Sequence, residues 1–210
     1  FSLCKELYII DKKSFSNTMI KKLRIPSTVT RIEDGSFSKC KRLESVEFNE
    51  SNLNYIGKKS FASTKLEFFY IPSTVVEIGE KAFFDCVQYP IFSPDSQITF
   101  LYKSFSFSEA RKLIIPPNIK MISSFYFANC YCINNIEFMA DDLTFGEYCF
   151  CKTMPKIILC PNTKKITLMY TSAGYYDFFN KGFCIFLAAN TEIISPFFKI
   201  TLLTSDMSDD

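Results

Sequence analysis

Cysteine is the residue type in this chain whose spacing most resembles a metal site. Nine cysteines are present, and two closely spaced pairs, Cys130 with Cys132 and Cys149 with Cys151, could together supply four ligands. Four thiolates can hold a tetrahedral zinc ion. The alternative is that each cysteine packs as a small buried side chain. The choice between them depends on the elements that carry these residues.

Other groups that could do chemistry are sparse. The 210 residues contain no histidine, which excludes serine–histidine and cysteine–histidine nucleophile pairs as well as histidine ligands. The neighbouring carboxylates Glu77 and Glu80, and Asp141 and Asp142, fall in turn or wall segments, where a carboxylate is ordinarily a solvated surface charge. The net charge is +2 and the charges are scattered, so nothing indicates a nucleic-acid partner. The sequence predicts no enzyme, no cofactor, no metal and no small-molecule substrate.

The strongest pattern is a phenylalanine that recurs every 22 to 24 residues, at Phe15, Phe37, Phe61, Phe83, Phe105, Phe127 and Phe150. Three positions after each phenylalanine comes a small side chain: Thr18, Cys40, Thr64, Cys86, Ser108, Cys130 and Thr153. Five positions before six of them stands an apolar residue: Ile32, Ile56, Ile78, Phe100, Ile122 and Phe145. Gly57, Gly79 and Gly146 follow three of these and predict a tight turn. Such a fixed period indicates stacked structural units.

Each unit also contains one short apolar alternation, such as "LRI" at 23, "VEF" at 46 and "FYI" at 69. A period of two predicts one short strand per unit. A unit of this size cannot bury its apolar face alone, so the units must stack as a solenoid with a parallel sheet. Seven units cover residues 1–161, and a proline after every second strand gives a two-unit period of about 45 residues. Residues 162–210, which end in an acidic tail, form either a C-terminal cap or degenerate further repeats.

The repeat register decides between the two roles of the cysteines. Cys40, Cys86 and Cys130 occupy one position in alternate units, about two strand spacings apart, which is beyond the reach of a disulfide. Cys149 and Cys151 flank Phe150 and belong to a different column from Cys130. The sequence therefore favours buried structural cysteines over a zinc site. Together with the seven phenylalanines, Cys40, Cys86 and Cys130 are the predicted anchors of the repeat.

The string IP-S-x-V-x-x-I-x-x-x-[AS]-F-x-x-C-x-x-L-x-x-[IV]-x-F resembles the BspA-like leucine-rich repeats, which are abundant in surface proteins of bacteria and of parasitic protists such as trichomonads. The resemblance implies a leucine-rich-repeat solenoid, a curved right-handed coil with one short parallel strand per repeat of about 22–23 residues and an irregular C-terminal cap. It also implies a non-enzymatic module of a surface or secreted adhesion protein that binds a host-cell or matrix protein. The alternative is a cytoplasmic scaffold, which the free thiols and the start "FSLCKELYII", lacking a signal peptide, would suit.

A binding site is expected on the concave face of the sheet, where the residues between the inward ones point outward. They are Lys22 and Arg24, Ser45 and Glu47, Phe68 and Tyr70, Ile91 and Ser93, Lys112 and Ile114, Asn135 and Glu137, and Ile157 and Leu159. Phe68, Tyr70, Ile91 and Ile114 form an apolar stripe, which predicts a partner surface. Lys22, Arg24 and Lys112 are the basic candidates around it. The alternative is that the C-terminal segment folds back over the stripe.

Overall fold

The computed structural model describes residues 6–48, 51–86, 89–100, 105, 110–127, 129–150, 157–160, 162–168, 184–187 and 192–194. Within these ranges the regular elements are all strands, and every strand pair is parallel. Each turn of the coil adds one strand to each of two walls. The predicted parallel-strand solenoid is confirmed, with no helix in the described residues.

The first wall, here called the front wall, contains the strands that the apolar alternation predicts. They are β2 (Lys22–Ile25), β4 (Ser45–Phe48), β6 (Phe68–Ile71), β8 (Tyr89–Phe92), β10 (Lys112–Ile115), β12 (Asn135–Phe138), β14 (Ile157–Cys160) and β16 (Cys184–Leu187). Hydrogen bonds join β2 to β4, β6 to β8, and the last four strands into one sheet.

The second wall, the back wall, consists of shorter strands that carry the isoleucine column. They are β1 (Ile9–Ile10), β3 (Arg31–Ile32), β5 (Tyr55–Ile56), β7 (Glu77–Ile78), β9 (Thr99–Phe100), β11 (Met121–Ile122), β13 (Asp142–Phe145), β15 (Lys165–Leu168) and β17 (Glu192–Ile194). Strands β15, β16 and β17 lie beyond residue 161 and pair in parallel with the preceding strands. The domain boundary at 161, and the way residues 162–210 end the coil, stay predictions.

The phenylalanine column forms the third wall, which consists of turns. Its rings stack one above the next, with centroids 5.4 Å apart between Phe37 and Phe61 and 5.9 Å apart between Phe61 and Phe83. The phenylalanine N–H donates to the next coil, as from Phe37 to the Ser60 carbonyl at 2.8 Å. The residues two before and two after each described ring from Phe15 to Phe83 adopt a positive φ, as do those flanking Phe127. This backbone conformation lets the N–H groups of the turn wall donate hydrogen bonds to the neighbouring coil without forming a helix.

The three walls enclose one core, and the repeat columns supply most of it. Phe37, Phe61, Phe83, Phe105 and Phe127 are fully buried, whereas Phe15 in the first coil is partly buried. Ile32, Ile56, Ile78 and Ile122 of the back wall are also fully buried. Burial of a phenylalanine or isoleucine side chain stabilises a fold by about 1.5–3 kcal/mol, so the repeated columns hold the coils together.

The small residues after each phenylalanine have a polar role besides packing. Cys40 and Cys130 are fully buried, and their thiols donate to the carbonyl of the preceding coil's phenylalanine, at 3.0 Å to Phe15 and 2.9 Å to Phe105. Thr64 donates instead to the carbonyl of its own coil's Phe61 at 3.0 Å. The column therefore needs residues that are both small and able to donate a hydrogen bond.

Gly57 and Gly79 begin turns, as predicted, because Ser60 and Ala82 donate their N–H groups to the Gly57 and Gly79 carbonyls at 3.2 Å. The need for glycine at these two positions and at Gly146 comes from the preceding coil. Their φ angles lie outside the left-handed region, but a Cβ at Gly79 would lie 2.5 Å from the backbone nitrogen of Lys58. Gly57 and Gly146 meet the backbone of the preceding coil at 2.6 and 2.7 Å in the same way. These glycines allow neighbouring coils to touch.

Pro90 explains why β8 and β10, which are neighbours in the front wall, are not joined by ladder hydrogen bonds. Tyr89 and Ser93 donate their N–H groups toward β6, so the alternate residue Pro90 faces β10. Proline has no N–H to donate, which removes a ladder hydrogen bond at this edge. Strands β6 and β8 form a separate hydrogen-bonded pair within the wall, and Pro90 lies on the side of this pair that faces β10.

Candidate partner-binding face

The outward side chains of the front strands form the candidate site. In β2, Lys22 and Arg24 are exposed while Leu23 and Ile25 are buried, as a strand with one face toward the core requires. The same alternation runs through β6 and β10 and leaves Lys112 exposed. Each of the six front-wall strands from β2 to β12 therefore has two outward side chains, which we call its first and second outward positions in chain order. We call these twelve side chains the front face.

An apolar centre occupies the middle of the front face. Phe68, Tyr70, Ile91 and Ile114 are 54%, 48%, 47% and 48% exposed. Single exposed apolar residues are ordinary, but four on three neighbouring strands form a continuous patch. The structure thus brings the four apolar candidates together on one exposed surface. The burial of Ile157 and Leu159 side chains lies outside what the structure describes.

Tyr89 belongs to the front face, and the sequence analysis missed it. Its ring stacks on that of Phe68, with centroids 5.2 Å apart and planes 20° apart. The prediction that Ser93 points outward is wrong, because β8 ends at Phe92 and Ser93 turns inward to 6% exposure. Ser93 also donates its N–H to the Ile71 carbonyl and begins a turn that Ser96 closes. The tyrosine before Pro90 was the available signal, since it stands two residues before Ile91.

Charged residues surround the apolar centre. Arg24 and Glu47 form an ion pair of 3.1 Å, and their side chains are 60% and 59% exposed. Pairs this exposed contribute about 0–1 kcal/mol, so both side chains can exchange partners at little cost. Lys112 and Glu137 lie on the other side of the centre and have no ion-pair partner among the described residues.

The described residues contain no group that could hold a metal ion. Cys130 is buried and donates to a carbonyl, whereas Cys132 is exposed. Burial raises the pKa of the Cys149 thiol well above its usual range. Cys151 lies outside the described residues. Three of the four cysteines of the zinc hypothesis therefore have environments that differ from one another and do not converge.

The back wall carries the other notable side-chain contacts. The Arg31 guanidinium lies 4.0 Å from the centroid of the Tyr55 ring and 2.8 Å from Glu33. Burial and the carboxylates of Asp34, Glu77 and Glu33 raise the pKa of Tyr55, against the opposing effect of Arg31. Glu80 accepts from Lys58 at 2.6 Å, and this hydrogen bond raises the pKa of the lysine. The contacts of Arg31 with Tyr55 and of Lys58 with Glu80 join neighbouring coils.

A search of the described residues for a helix able to cross a membrane finds none. Comparison of the sequence with protein families finds a match to the BspA type leucine rich repeat region, in six copies over residues 1–90 and 88–180. No curated protein matches the chain.

The chain is similar to several solved protein structures. A leucine-rich repeat protein from Bacteroides ovatus matches with a TM-score of 0.53 and 20% identity over 80% of this chain. The chain spans 54% of the length of that protein. The pneumococcal vaccine antigen PcpA matches with a TM-score of 0.46 and 14% identity, over 90% of this chain and 71% of its own. A leucine rich cell surface protein from Faecalibacterium prausnitzii matches with a TM-score of 0.38 and 16% identity, over 84% of this chain and 60% of its own.

Proposed function

Because the chain belongs to the family of BspA-type leucine-rich repeat proteins, we propose that it is the binding region of a surface or secreted adhesion protein. Proteins with leucine-rich repeats generally act as non-enzymatic modules for protein–protein interaction. In our proposal the partner is a protein of a host cell surface or extracellular matrix, and it binds the front face. The exposed apolar centre is the observation that supports this choice of face.

The composition of the front face suits a protein partner. Aromatic residues and arginine are the side chains that contribute most to protein interfaces, and polar groups usually surround an apolar centre. Phe68, Tyr70 and Tyr89 supply the aromatic centre, and Arg24 and Lys112 stand beside it. In the proposal, the apolar centre provides most of the affinity while the charges orient the partner.

The stacking of Phe68 on Tyr89 supports a protein partner. The two rings lie with their centroids 5.2 Å apart and their planes 20° apart, so each ring covers one face of the other. Aromatic residues are enriched at protein interfaces, where they pack against other aromatic rings and apolar side chains.

Binding of matrix proteins and epithelial cells by the purified chain tests the proposal. We would compare the wild type with a variant carrying Phe68→Ser, Tyr70→Ser and Ile91→Ser, using separately immobilised matrix proteins and intact cells. All three side chains are about half exposed, so the fold should survive, as circular dichroism would show. We expect the variant to bind at least about tenfold more weakly, since loss of hot-spot residues costs 2 kcal/mol or more.

A matched control removes as much exposed apolar surface from other parts of the molecule. It carries three serine substitutions at positions that are 50%, 60% and 62% exposed: Val76, Met121 and Tyr131. The control should bind as the wild type does. Equal losses in both variants would show that general surface apolarity, not the front face, causes binding. A folded wild type that binds neither cells nor matrix proteins would refute adhesion and favour the cytoplasmic scaffold.

A further inference from the structure

We propose that the front face also binds a second copy of the chain, in an antiparallel arrangement. The inference uses the face assigned to the partner but does not depend on the identity of that partner. It rests on the order of side chains from β2 to β12. The first outward positions are Lys22, Ser45, Phe68, Tyr89, Lys112 and Asn135, and the second are Arg24, Glu47, Tyr70, Ile91, Ile114 and Glu137.

This order is complementary to itself when it is reversed. A two-fold axis that lies in the interface, parallel to the strands and between β6 and β8, places the first coil against the sixth. Phe68 then faces Tyr89, and Tyr70 faces Ile91, so the two apolar centres meet. At strand spacings of about 4.8 Å, β2 and β12 lie at similar distances on either side of the axis.

The charges match in the same arrangement, except that Glu47 faces the apolar Ile114. Arg24 of one copy faces Glu137 of the other, and Lys22 faces Asn135. Lys112 faces Ser45 and lies diagonally opposite Glu47, which the exposed ion pair with Arg24 holds only weakly. Each contact occurs twice because of the two-fold symmetry. Lys112 and Glu137, which lack ion-pair partners among the described residues, would both gain one.

The other two-fold arrangement is unfavourable. An axis along the solenoid would place each coil against its own copy and exchange the first and second outward positions. Lys22 would then face Arg24 twice, and Asn135 would face Glu137. Like charges opposite each other oppose association, so the sequence of the face selects the antiparallel dimer.

The size of the face sets the expected strength. Twelve side chains from each copy are fewer than the roughly 20–30 residues per partner of a stable interface. The predicted concave shape would leave the widest gap at the middle, where the largest side chains, Phe68, Tyr70 and Tyr89, can fill it. We therefore expect a reversible dimer with a dissociation constant of about 1–100 μM, weakened by salt.

Charge reversal and mixing provide the test. Sedimentation velocity would measure the wild type, Arg24→Glu and Glu137→Arg from about 1 to 500 μM, a range that brackets the expected constant. Each single variant should dimerise at least about tenfold more weakly, because two like-charge contacts replace two favourable ones. An equimolar mixture should associate to within about threefold of the wild type, because the mixed dimer restores both contacts. Lys120→Glu and Asp142→Arg, exposed positions off the front face, provide controls of equal charge change.

The outcomes separate this proposal from adhesion. Restored association in the mixture supports the antiparallel contact, since this arrangement pairs positions 24 and 137 and the axis along the solenoid does not. A wild type that stays monomeric at 500 μM, or a mixture that does not recover, overturns the dimer and leaves adhesion untouched. Conversely, a wild type that dimerises but binds no cell or matrix protein overturns adhesion alone.

Discussion

Replacement of Gly79 by alanine should destabilise the coil far more than the same change at Gly35. At Gly79 the added Cβ would lie 2.5 Å from the Lys58 nitrogen and 2.8 Å from the Gly57 carbonyl carbon, both backbone atoms. Ordinary contact begins near 3.4 Å, so the two coils must separate by roughly 1 Å. The hydrogen bond from the Gly79 N–H to the Ile56 carbonyl, 2.7 Å long, would then exceed 3.5 Å and be lost.

Two costs add at this position. Overpacking of a close contact costs about 1–3 kcal/mol, and a lost backbone hydrogen bond costs about 1 kcal/mol. Gly79→Ala should therefore lower the free energy of unfolding by about 3 kcal/mol. Gly35 has a φ of 64°, and its Cβ would lie 3.3 Å from the flexible side chain of Lys13 and 3.9 Å, an ordinary contact, from the Ser38 Cβ. The strain of a left-handed alanine is about 1–2 kcal/mol, partly offset by the reduced entropy of the unfolded chain, which leaves about 1 kcal/mol.

Urea denaturation followed by circular dichroism at 25 °C measures both variants against the wild type. The two variants should differ by about 2 kcal/mol in free energy of unfolding, with Gly79→Ala the less stable. A Gly79→Ala variant no less stable than Gly35→Ala would refute it, because the close approach of the coils would then impose no constraint.

Two further predictions concern the cysteines. Cys40→Ala should cost about 1 kcal/mol more than Cys40→Ser in the same assay, because serine keeps a donor for the Phe15 carbonyl and alanine does not. Equal stability of the two variants would contradict the hydrogen-bonding role of the column. Cys149 governs the response to alkali, because burial raises its pKa in the folded state above the ordinary value of 9.0 that the unfolded chain should show. Above pH 9 the unfolded state loses a proton that the folded state keeps, so unfolding becomes easier by roughly 1 kcal/mol per pH unit. That loss should be at most about 0.4 kcal/mol up to pH 9, where half of the unfolded thiols are ionised, and smaller in Cys149→Ala than in the wild type above pH 9. Parallel curves for the two proteins would show that another group is responsible.

The core columns were predictable from sequence because each is sampled many times. A single buried phenylalanine carries little information, but the same residue at a fixed period defines a position that every coil must fill. Phe37, Phe61 and Phe83 stack as the period requires. The isoleucine column of the back wall follows from the same logic. An unusual residue in one unit does not obscure the pattern, because the other units repeat it.

The turn wall could not be predicted in the same way. Lys13, Lys39, Lys59 and Lys81 adopt a positive φ, a conformation that lysine does not favour. Among the other positive-φ residues of this wall, Gly35, Asn17, Asp85 and Asn129 have a local preference for it. The lysines are held there because the buried rings and the hydrogen bonds between coils fix the backbone on both sides. Local sequence preference is overruled by the stacking.

The inward direction of Ser93 was missed because it depends on where one strand ends. Side chains alternate only while the strand continues, and a boundary displaced by one residue changes which side a residue faces. Pro90 reduces the pairing of β8 on one side, and the chain turns after Phe92. The repeat pattern predicts the residues that every unit shares. The front face consists of residues that differ from one unit to the next, so the repeat pattern does not predict them.

The two proposed occupants of the front face would compete, and the competition is measurable. A chain in the dimer cannot bind a partner through the same apolar centre, so the apparent affinity for the partner falls by the fraction of free chains. When the total chain concentration equals the dimer dissociation constant, about half of the chains are free and the apparent dissociation constant for the partner rises about twofold. The Glu137→Arg variant should lose this dependence on concentration while Phe68, Tyr70 and Ile91 remain in place. A high density of the chain on a surface would then weaken its adhesion, because more chains would be paired with one another. The outward residues alone would set the strength of this competition, since the buried inward columns stabilise the coil independently of them.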